Sequence, residues 1–360
     1  MQGKRLRLIL IIGVIIIVLA VLVLRGEELA ELITTMQKGN LLLMALAIVS
    51  QMGKYTCQAF AYAAAFRTVS ENRRVRETLP LVFGAFFMNT IAPSMNMAGA
   101  GLVIDDSRRR GIPVGKSTSA ALLMQMSIES GFIVIMIGGF IVLQLTVGLD
   151  PLWLLMLLLV VLFVGFMAGI MIIGNKNPEL VIKLLSTPER FINSLSKRFR
   201  KGREIKPWAA TLVESFSEAA GTIGQNPRKA ALVFLFSIGA SLCELVTFCL
   251  VGMAFNLELS GALIGGYVSA TLFAMVSPTP QGIGIVELMT VGVFIAYGVP
   301  ASVGAAVVLV YRGFVFWMPF AIGAVLINLT KTFSGAPKDP PDSPAPPDPP
   351  AQLDPPASPE

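Results

Sequence analysis

The chain has 360 residues, of which 54% are hydrophobic and only 14% are charged, with a formal net charge of +6. Its recurring apolar runs are each long enough to cross roughly 30 Å of hydrocarbon, which excludes a soluble globular protein and predicts an all-α polytopic membrane protein. Histidine is absent, and neither a metal-ligand cluster nor a nucleotide-binding motif occurs in the sequence. We therefore expect no catalytic residue, no metal, no cofactor and no nucleic-acid partner.

Apolar segments predict about six full spans and two interrupted ones. The first run follows Lys4, Arg5 and Arg7 and reaches Arg25 without a small-residue cleavage site, so we interpret it as an uncleaved span. The full spans are predicted at 6–24, 41–66, 117–147, 150–174, 230–255 and 302–329, and the interrupted segments at 79–104 and 260–297.

Composition divides the chain into five parts. Residues 175–229 are polar with amphipathic runs, which is typical of helices lying along a membrane surface, and the Pro- and Asp-rich C-terminal stretch cannot bury a core. We expect a first span with an external loop (1–40), a first repeat half with an extra span (41–174), a cytoplasmic amphipathic segment (175–229), a second repeat half (230–334) and a disordered tail (335–360).

Basic residues predict the orientation, because cytoplasmic loops near span ends are enriched in Lys and Arg. The N-terminus, the 67–76 and 108–116 clusters, and 175–207 with nine Lys/Arg against three Glu all belong inside. Because two of these clusters flank 79–104, that segment becomes a re-entrant hairpin, and the second interrupted segment becomes a hairpin entering from outside. We expect an integral protein of a prokaryotic cytoplasmic membrane with both termini in the cytoplasm.

Two Pro/Gly-rich breaks interrupt these hairpins at matching places, Pro93–Gly101 and Ser277–Gly284. Backbone at membrane depth must satisfy its own hydrogen bonds, so such breaks persist only where they are buried in protein or line a polar cavity. Matching breaks in two halves are typical of inverted-repeat transporters with a site near the midplane. A pair of kinked ordinary spans is the alternative architecture.

Five ionisable side chains lie inside apolar segments, where an unpaired charge is costly and marks a functional hypothesis. They are Lys54, Glu129, Glu244, Glu287 and Arg312, with Glu244 roughly at the place in the second half that Lys54 holds in the first. One interpretation is structural ion pairing, Lys54 with Glu244 and Arg312 with Glu287 or Glu129. The other is a polar cavity that accommodates a charged headgroup.

The breaks add backbone groups and small residues to these charges. A half-helix beginning after Gly284 exposes free N–H groups and a positive dipole end, which suits a phosphate. Glu287 in its first turn instead favours a cationic group, or needs Arg312 as its partner if an anion is to bind. We predict that substrate contacts Lys54, Asn89, Pro93, Gly99, Gly101, Glu129, Glu244, Pro280, Gly282, Gly284, Glu287 and Arg312.

The segment from Pro278 to Glu287 resembles the P-x-GG-x-G-x-x-E signature of the transmembrane domain of lysylphosphatidylglycerol synthase/flippase proteins, with Gln281 at the first Gly of the pair. The run from Asn89 through Pro93 to Gly99 and Gly101 is similar to the first-half element of that family. The resemblance covers residues 5–330 and implies a protein that helps a lipid to cross between leaflets. It also implies a stand-alone member, since the soluble synthase domain is replaced by the Pro-rich tail.

Three function classes follow from these observations. The first is a lipid flippase or transporter that moves a polar or aminoacylated phospholipid or a glycolipid between leaflets, its two halves rocking about the site. A non-catalytic membrane partner of a lipid- or glycan-modifying enzyme, such as a synthase or glycosyltransferase, is the second, with the Pro-rich tail as docking element. A membrane-embedded transferase is the third and would need Glu287 or Glu129 as general base.

Overall fold

The computed structural model describes residues 36–91, 97–146, 226–277 and 279–327, together with isolated positions between 155 and 224. The expected spans 6–24 and 150–174, most of the segment 175–229, the tail 335–360 and Pro93 lie outside the described residues. The described ranges form the helices α1 (Leu41–Thr68), α2 (Val75–Ile91), α3 (Met97–Arg109), α4 (Val114–Thr146), α5 (Pro227–Ala254), α6 (Gly261–Val276), α7 (Ile285–Ala296) and α8 (Ala301–Leu326).

The helix order confirms the all-α fold and the predicted sequence of helix, broken hairpin, helix in each half. In the first half α2 and α3 form the hairpin, and α1 and α4 flank it. In the second half the hairpin is α6 and α7, separated by a short 3-10 turn at Pro280–Gly282. Among the described helices, Val114–Leu145, Pro227–Ala254 and Ala301–Leu326 are long and apolar enough to cross a membrane.

The two halves repeat each other in detail. A shift of 186 residues takes Leu41 to Pro227 and Thr68 to Ala254, so that α1 and α5 both have 28 residues. Both helices end in the same turn, with a left-handed residue two places beyond the helix, Ser70 and Asn256, each at φ 62°. Such an ending satisfies the last helical carbonyls, which would otherwise lack hydrogen-bond donors.

The ends of the hairpins repeat as well, with a shift of 187 residues. Gly111 follows α3 at φ 84° and Gly298 follows α7 at φ 77°, and both precede a proline that leads into the next helix, Pro113 and Pro300. A residue with a side chain is strained at these dihedral angles, so glycine fits both turns. Equal turns at equal places show that the halves are one motif used twice.

The two halves meet along α1 and α5, which run antiparallel. The Asn40 N–H at the start of α1 donates to the Ala254 carbonyl at the end of α5, at 2.9 Å. At the other end, Asn226 Nδ2 donates to the Thr68 carbonyl, at 3.2 Å. Because equivalent helices run in opposite directions, the axis that relates the halves is perpendicular to them and lies in the membrane plane, as in an inverted repeat.

This register corrects one detail of the sequence interpretation. The shift of 186 residues takes Lys54 to Ala240 and Gln58 to Glu244. Lys54 and Glu244 therefore are not equivalents but lie one helical turn apart within the repeat. They meet because the antiparallel packing of α1 and α5 brings together residues on either side of the axis.

Each hairpin packs against the last helix of the other half. In one contact the rings of Phe87 on α2 and Phe320 on α8 lie 5.0 Å apart. In the other, Met136 on α4 packs with Val268 and Leu272 of α6 in one apolar cluster. This exchange interlocks the halves.

Candidate functional site

A buried ion pair crosses the contact between the two halves. Lys54 Nζ on α1 lies 2.5 Å from Glu244 Oε1 on α5, and the residues are only 6% and 4% exposed. The ammonium group also lies over the rings of Tyr55 and Phe132, with centroids 5.7 Å and 5.6 Å away. Aromatic faces attract cations, so they compensate part of the hydration that Lys54 loses.

Polar side chains surround this pair, but they do not satisfy all of its hydrogen-bonding atoms. Gln51 Nε2 donates to the Tyr55 hydroxyl at 2.8 Å, and the Tyr267 hydroxyl donates to the Ser241 carbonyl at 3.3 Å. Among the described residues, Glu244 Oε2 and Gln51 Oε1 have no hydrogen-bond partner. Buried polar atoms without a partner are rare, and they are found where water or a ligand completes the site.

The second break is a strained turn. Gln281 adopts a left-handed conformation at φ 53°, and Gly282 and Gly284 follow at φ 71° and 86°. The Glu287 carboxylate then caps α7, because its Oε2 accepts from the Gly284 N–H at 2.7 Å. A carboxylate therefore occupies the positive end of α7, where the sequence analysis had considered an anion.

Arg312 on α8 forms hydrogen bonds to both sides of this turn. Its Nε donates to Glu287 Oε1 at 2.7 Å, and its Nη1 donates to the Gln281 carbonyl at 3.1 Å. The guanidinium lies 4.9 Å from the Phe316 ring centroid, and Nη2 has no partner among the described residues. Arg312 is 6% exposed, so a buried cationic N–H group next to the break remains available to an acceptor.

A π-helical turn at Gly313–Trp317 follows Arg312 directly. Such turns inside α-helices are frequent at functional sites, because they re-aim side chains at the cost of regular hydrogen bonding. Here the π turn separates the part of α8 that packs on α7 from the part that packs on α2.

The two charged pairs and the second break are linked through contacts between α5 and α8. Arg312 follows Tyr311 on α8, and Glu244 lies one helical turn before Phe248 on α5. The Tyr311 ring also lies 4.8 Å from Phe248 of α5. From the other side, α2 contacts the turn Pro280–Gly282. The structure therefore brings Lys54, Glu244, Glu287, Arg312, Pro280, Gly282 and Gly284 together.

The first break is held by an amide instead of charges. Asn89 Oδ1 on α2 accepts from the Gly99 N–H on α3 at 2.6 Å. A Cβ at Gly99 would lie 2.8 Å from the Ala85 carbonyl oxygen, whereas Gly101 has open space. Gly99 is therefore required for close packing of the hairpin, and Gly101 is not.

Glu129 lies on α4 and accepts from Gln125 Nε2 at 2.8 Å. The shift of 187 residues that takes Val114 to Ala301 takes Gln125 to Arg312 and Glu129 to Phe316. The halves therefore carry different chemistry at equivalent places, an amide with a carboxylate in one and a cation over an aromatic ring in the other.

A second buried cluster was not predicted from the sequence, in which its arginines indicate orientation. Arg73 Nη2 and Arg110 Nε both donate to Asp106 Oδ2 at 2.8 Å, and Arg73 Nη1 donates to Ser107 Oγ at 3.1 Å. Burial lowers the pKa of Arg73 from its ordinary value, and the hydrogen bond that Arg73 donates to Asp106 opposes this. The signal in the sequence was Asp105 and Asp106, each four residues before an arginine.

The whole chain can be compared with known membrane proteins. It is 35% identical over 101 residues to a UPF0104 membrane protein of Methanothermobacter thermautotrophicus, a match that spans 28% of this chain and 30% of that protein. It is 23% identical over 290 residues to a UPF0104 membrane protein of Methanocaldococcus jannaschii, which covers 79% of this chain and 81% of that protein. A family model described as the lysylphosphatidylglycerol synthase TM region matches residues 9–323. Since this match takes in most of the sequence and all but the last three residues of the eight described helices, the chain belongs to the lysylphosphatidylglycerol synthase transmembrane-region family of integral membrane proteins.

Proposed function

We propose that this protein moves a polar phospholipid or glycolipid between the leaflets of a prokaryotic cytoplasmic membrane, binding and releasing it without a covalent step. The observation that carries the proposal is the buried, partly unsaturated polar region at the second break. Arg312 Nη2 offers a donor and Glu244 Oε2 offers an acceptor, and neither has a hydrogen-bond partner among the described residues. A lipid headgroup presents the complementary acceptors and donors.

The energetic reason for such a site is desolvation. A charged headgroup crosses a bilayer slowly because it must leave water, and the same cost makes buried charges in proteins expensive. Lys54, Glu244, Glu287, Arg312 and the turn at Gln281 supply oriented charges and backbone dipoles that replace part of this hydration. The acyl chains remain in lipid, next to exposed apolar side chains of the helices.

Family membership supports a lipid-related membrane function for this chain. We propose that a synthase or glycosyltransferase that makes the lipid is the partner of this transporter. In this proposal both termini lie in the cytoplasm, where the product of that enzyme is taken up.

Reconstitution tests the proposal directly. Purified protein is placed in liposomes with fluorescent lipids of several headgroup classes, and dithionite quenching measures how fast lipid reaches the outer leaflet. We expect faster exchange than in protein-free vesicles, and a reduction of about tenfold for Arg312→Gln, because a headgroup contact of about 1.4 kcal/mol is lost.

The matched control is Arg108→Gln, since Arg108 is an exposed arginine on α3 far from the second break in sequence. This variant should exchange lipid at the parent rate. If folded protein accelerates no headgroup class, the proposal is wrong and a non-catalytic partner of a lipid- or glycan-modifying enzyme becomes the better assignment.

A further inference from the structure

We infer that the contact between α1 and α5 is a stationary axis of the transport cycle, and that the two broken hairpins move against it. This inference rests on the proposed function and names the parts of the molecule that move. It replaces a rocking of whole halves, in which α1 and α5 would have to separate.

Polar contacts hold α1 to α5 along their whole length. Besides the bonds at both ends and the ion pair in the middle, Ser50 Oγ donates to the Cys243 carbonyl at 2.8 Å. Thr247 Oγ1 donates to the Ala47 carbonyl at 3.4 Å. Parting these helices in a bilayer would leave the Ser50 hydroxyl and the two charges of the ion pair without these partners, and hydrocarbon offers no replacement. Thr247 Oγ1 would keep its bond to the Cys243 carbonyl at 2.8 Å.

Reciprocal packing of small residues adds a second, independent restraint. Gly53 and Cys57 on α1 are the repeat equivalents of Gly239 and Cys243 on α5. A Cβ on Gly53 would lie 3.4 Å from Cys243 Sγ, and one on Gly239 would lie 3.7 Å from Cys57 Sγ. Cys57 and Cys243 therefore both lie in the contact surface between the two helices. Small residues four apart let membrane helices approach closely, so the axis itself is tightly packed.

The contacts of the hairpins with the opposite half are of a different kind. Val268 on α6 lies against Gly139 on α4, and Phe87 on α2 lies against Gly323 on α8. These surfaces are apolar and shaped by glycine. Each hairpin also has one side-chain hydrogen bond to the axis, from Thr78 Oγ1 to the Ala59 carbonyl at 2.8 Å and from the Tyr267 hydroxyl to the Ser241 carbonyl at 3.3 Å, which movement would have to exchange. The π turn after Arg312 interrupts α8 between its contacts with the two hairpins, at the place where a shear displacement would be absorbed.

Native cysteines make the axis testable. In a Cys249→Ala protein, copper phenanthroline joins Cys57 to Cys243, and mass spectrometry of the linked peptides measures the yield. We expect the rate of lipid exchange by the crosslinked protein to be within about twofold of the rate of the reduced protein. A contact that does not move during transport can be crosslinked without slowing transport. A loss of about tenfold or more that dithiothreitol reverses would overturn the inference.

Crosslinks on the hairpins test the other part of the inference, that the hairpins move. In a background with Cys57, Cys243 and Cys249 replaced by Ala, the pairs Gly139→Cys with Val268→Cys and Phe87→Cys with Gly323→Cys each join one hairpin to the opposite half. Oxidation of either pair should reduce exchange by about tenfold or more, with recovery on reduction. The reduced form of each variant reports whether it folds, and equal rates before and after oxidation contradict the inference.

A readout that needs no transport separates this inference from the proposed function. Spin labels at 42 and 253 measure the distance across the axis, and labels at 242 and 288 measure the distance from α5 to the second hairpin. In liposomes we expect one narrow distance for the first pair and two for the second. The reverse pattern, or a single narrow distance for both, refutes hairpin movement, whereas folded protein that moves as expected without exchanging lipid refutes only the proposed function.

Discussion

The two ion pairs of the site differ in how far their side chains are exposed at the protein surface. The Lys54 and Glu244 side chains are 8% and 6% exposed, so neither charge can remain unpaired without a large desolvation cost. The Glu287 side chain is 37% exposed, although its partner Arg312 is buried. In the proposed function, Glu287 is therefore the carboxylate that exchanges partners when substrate binds.

Lys54→Met tests the structural role of the buried pair. The change leaves Glu244 charged and unpaired, so we expect a loss of about 3–5 kcal/mol of stability, seen as a lower midpoint temperature of unfolding in detergent. The double variant Lys54→Met with Glu244→Leu should recover most of this loss, because both charges are removed together. Equal midpoints for the parent and the single variant would show that the pair contributes no stability.

Glu287→Gln tests the functional role of the exposed carboxylate. An amide oxygen can still accept from the Gly284 N–H, so the cap of α7 and the expression level should persist, while the rate of lipid exchange falls by about tenfold. Glu77→Gln is the matched control, because Glu77 is a carboxylate of similar exposure, 40%, that faces Arg73 on the other hairpin. Lost expression of the Glu287 variant would instead assign it to the structural pair.

At the level of elements, the first broken hairpin depends on a glycine where its two helices cross. Gly99→Ala places a methyl group against the Ala85 carbonyl and the Asn89 side chain, and we expect it to cost about 1–3 kcal/mol of stability. Gly101→Ala, two residues along the same helix, meets open space and should be neutral or stabilising by about 0.5–1 kcal/mol. Thermal unfolding of both variants under identical conditions checks this, and equal midpoints would contradict it.

The helices of this protein could be predicted closely from the sequence, whereas their pairing could not. Hydropathy marks where a helix enters and leaves hydrocarbon, and the expected span 230–255 became a helix from Pro227 to Ala254. The partners of Lys54 and Arg312 were among the pairs considered, because few charges occur in apolar segments. The register of α1 against α5 depends on side-chain packing across the axis. Nothing in the sequence therefore indicated that Glu244 lies one helical turn away from the repeat equivalent of Lys54.

Clusters that join distant segments were also beyond prediction. Arg73 and Asp106 are separated by 33 residues and meet only because the first hairpin folds back beside the end of α1. Each residue taken alone is typical of a solvated loop or helix end. The capping of α7 by Glu287 is a local contact instead. A carboxylate three residues after the N-cap is a pattern that the sequence can indicate.

At the scale of the whole molecule, the antiparallel packing of α1 and α5 predicts on which face of the membrane each hairpin ends. The ends of the two hairpins are equivalent under the repeat, so they must lie on opposite faces of the membrane. Single cysteines at Arg108 and Ala301, both exposed and next to these ends, should react with an impermeant maleimide from opposite sides in a cysteine-free protein. The position 301 avoids Gly298, whose positive φ would strain a cysteine. Labelling of both from the same side would contradict an inverted repeat.

The matching turns after Thr68 and Ala254 have a consequence for how such a molecule can be assembled. An antiparallel contact between equivalent helices does not distinguish two segments of one chain from two separate copies inserted in opposite directions. A short ancestral gene whose product entered the membrane both ways would already possess this contact as a dimer. In a fused chain, the arginines at the end of α3 and the uncharged turn at 298–300 in the second half would fix one direction for each copy. Each half could then diverge alone, as Gln125 and Arg312 have done at one shared position.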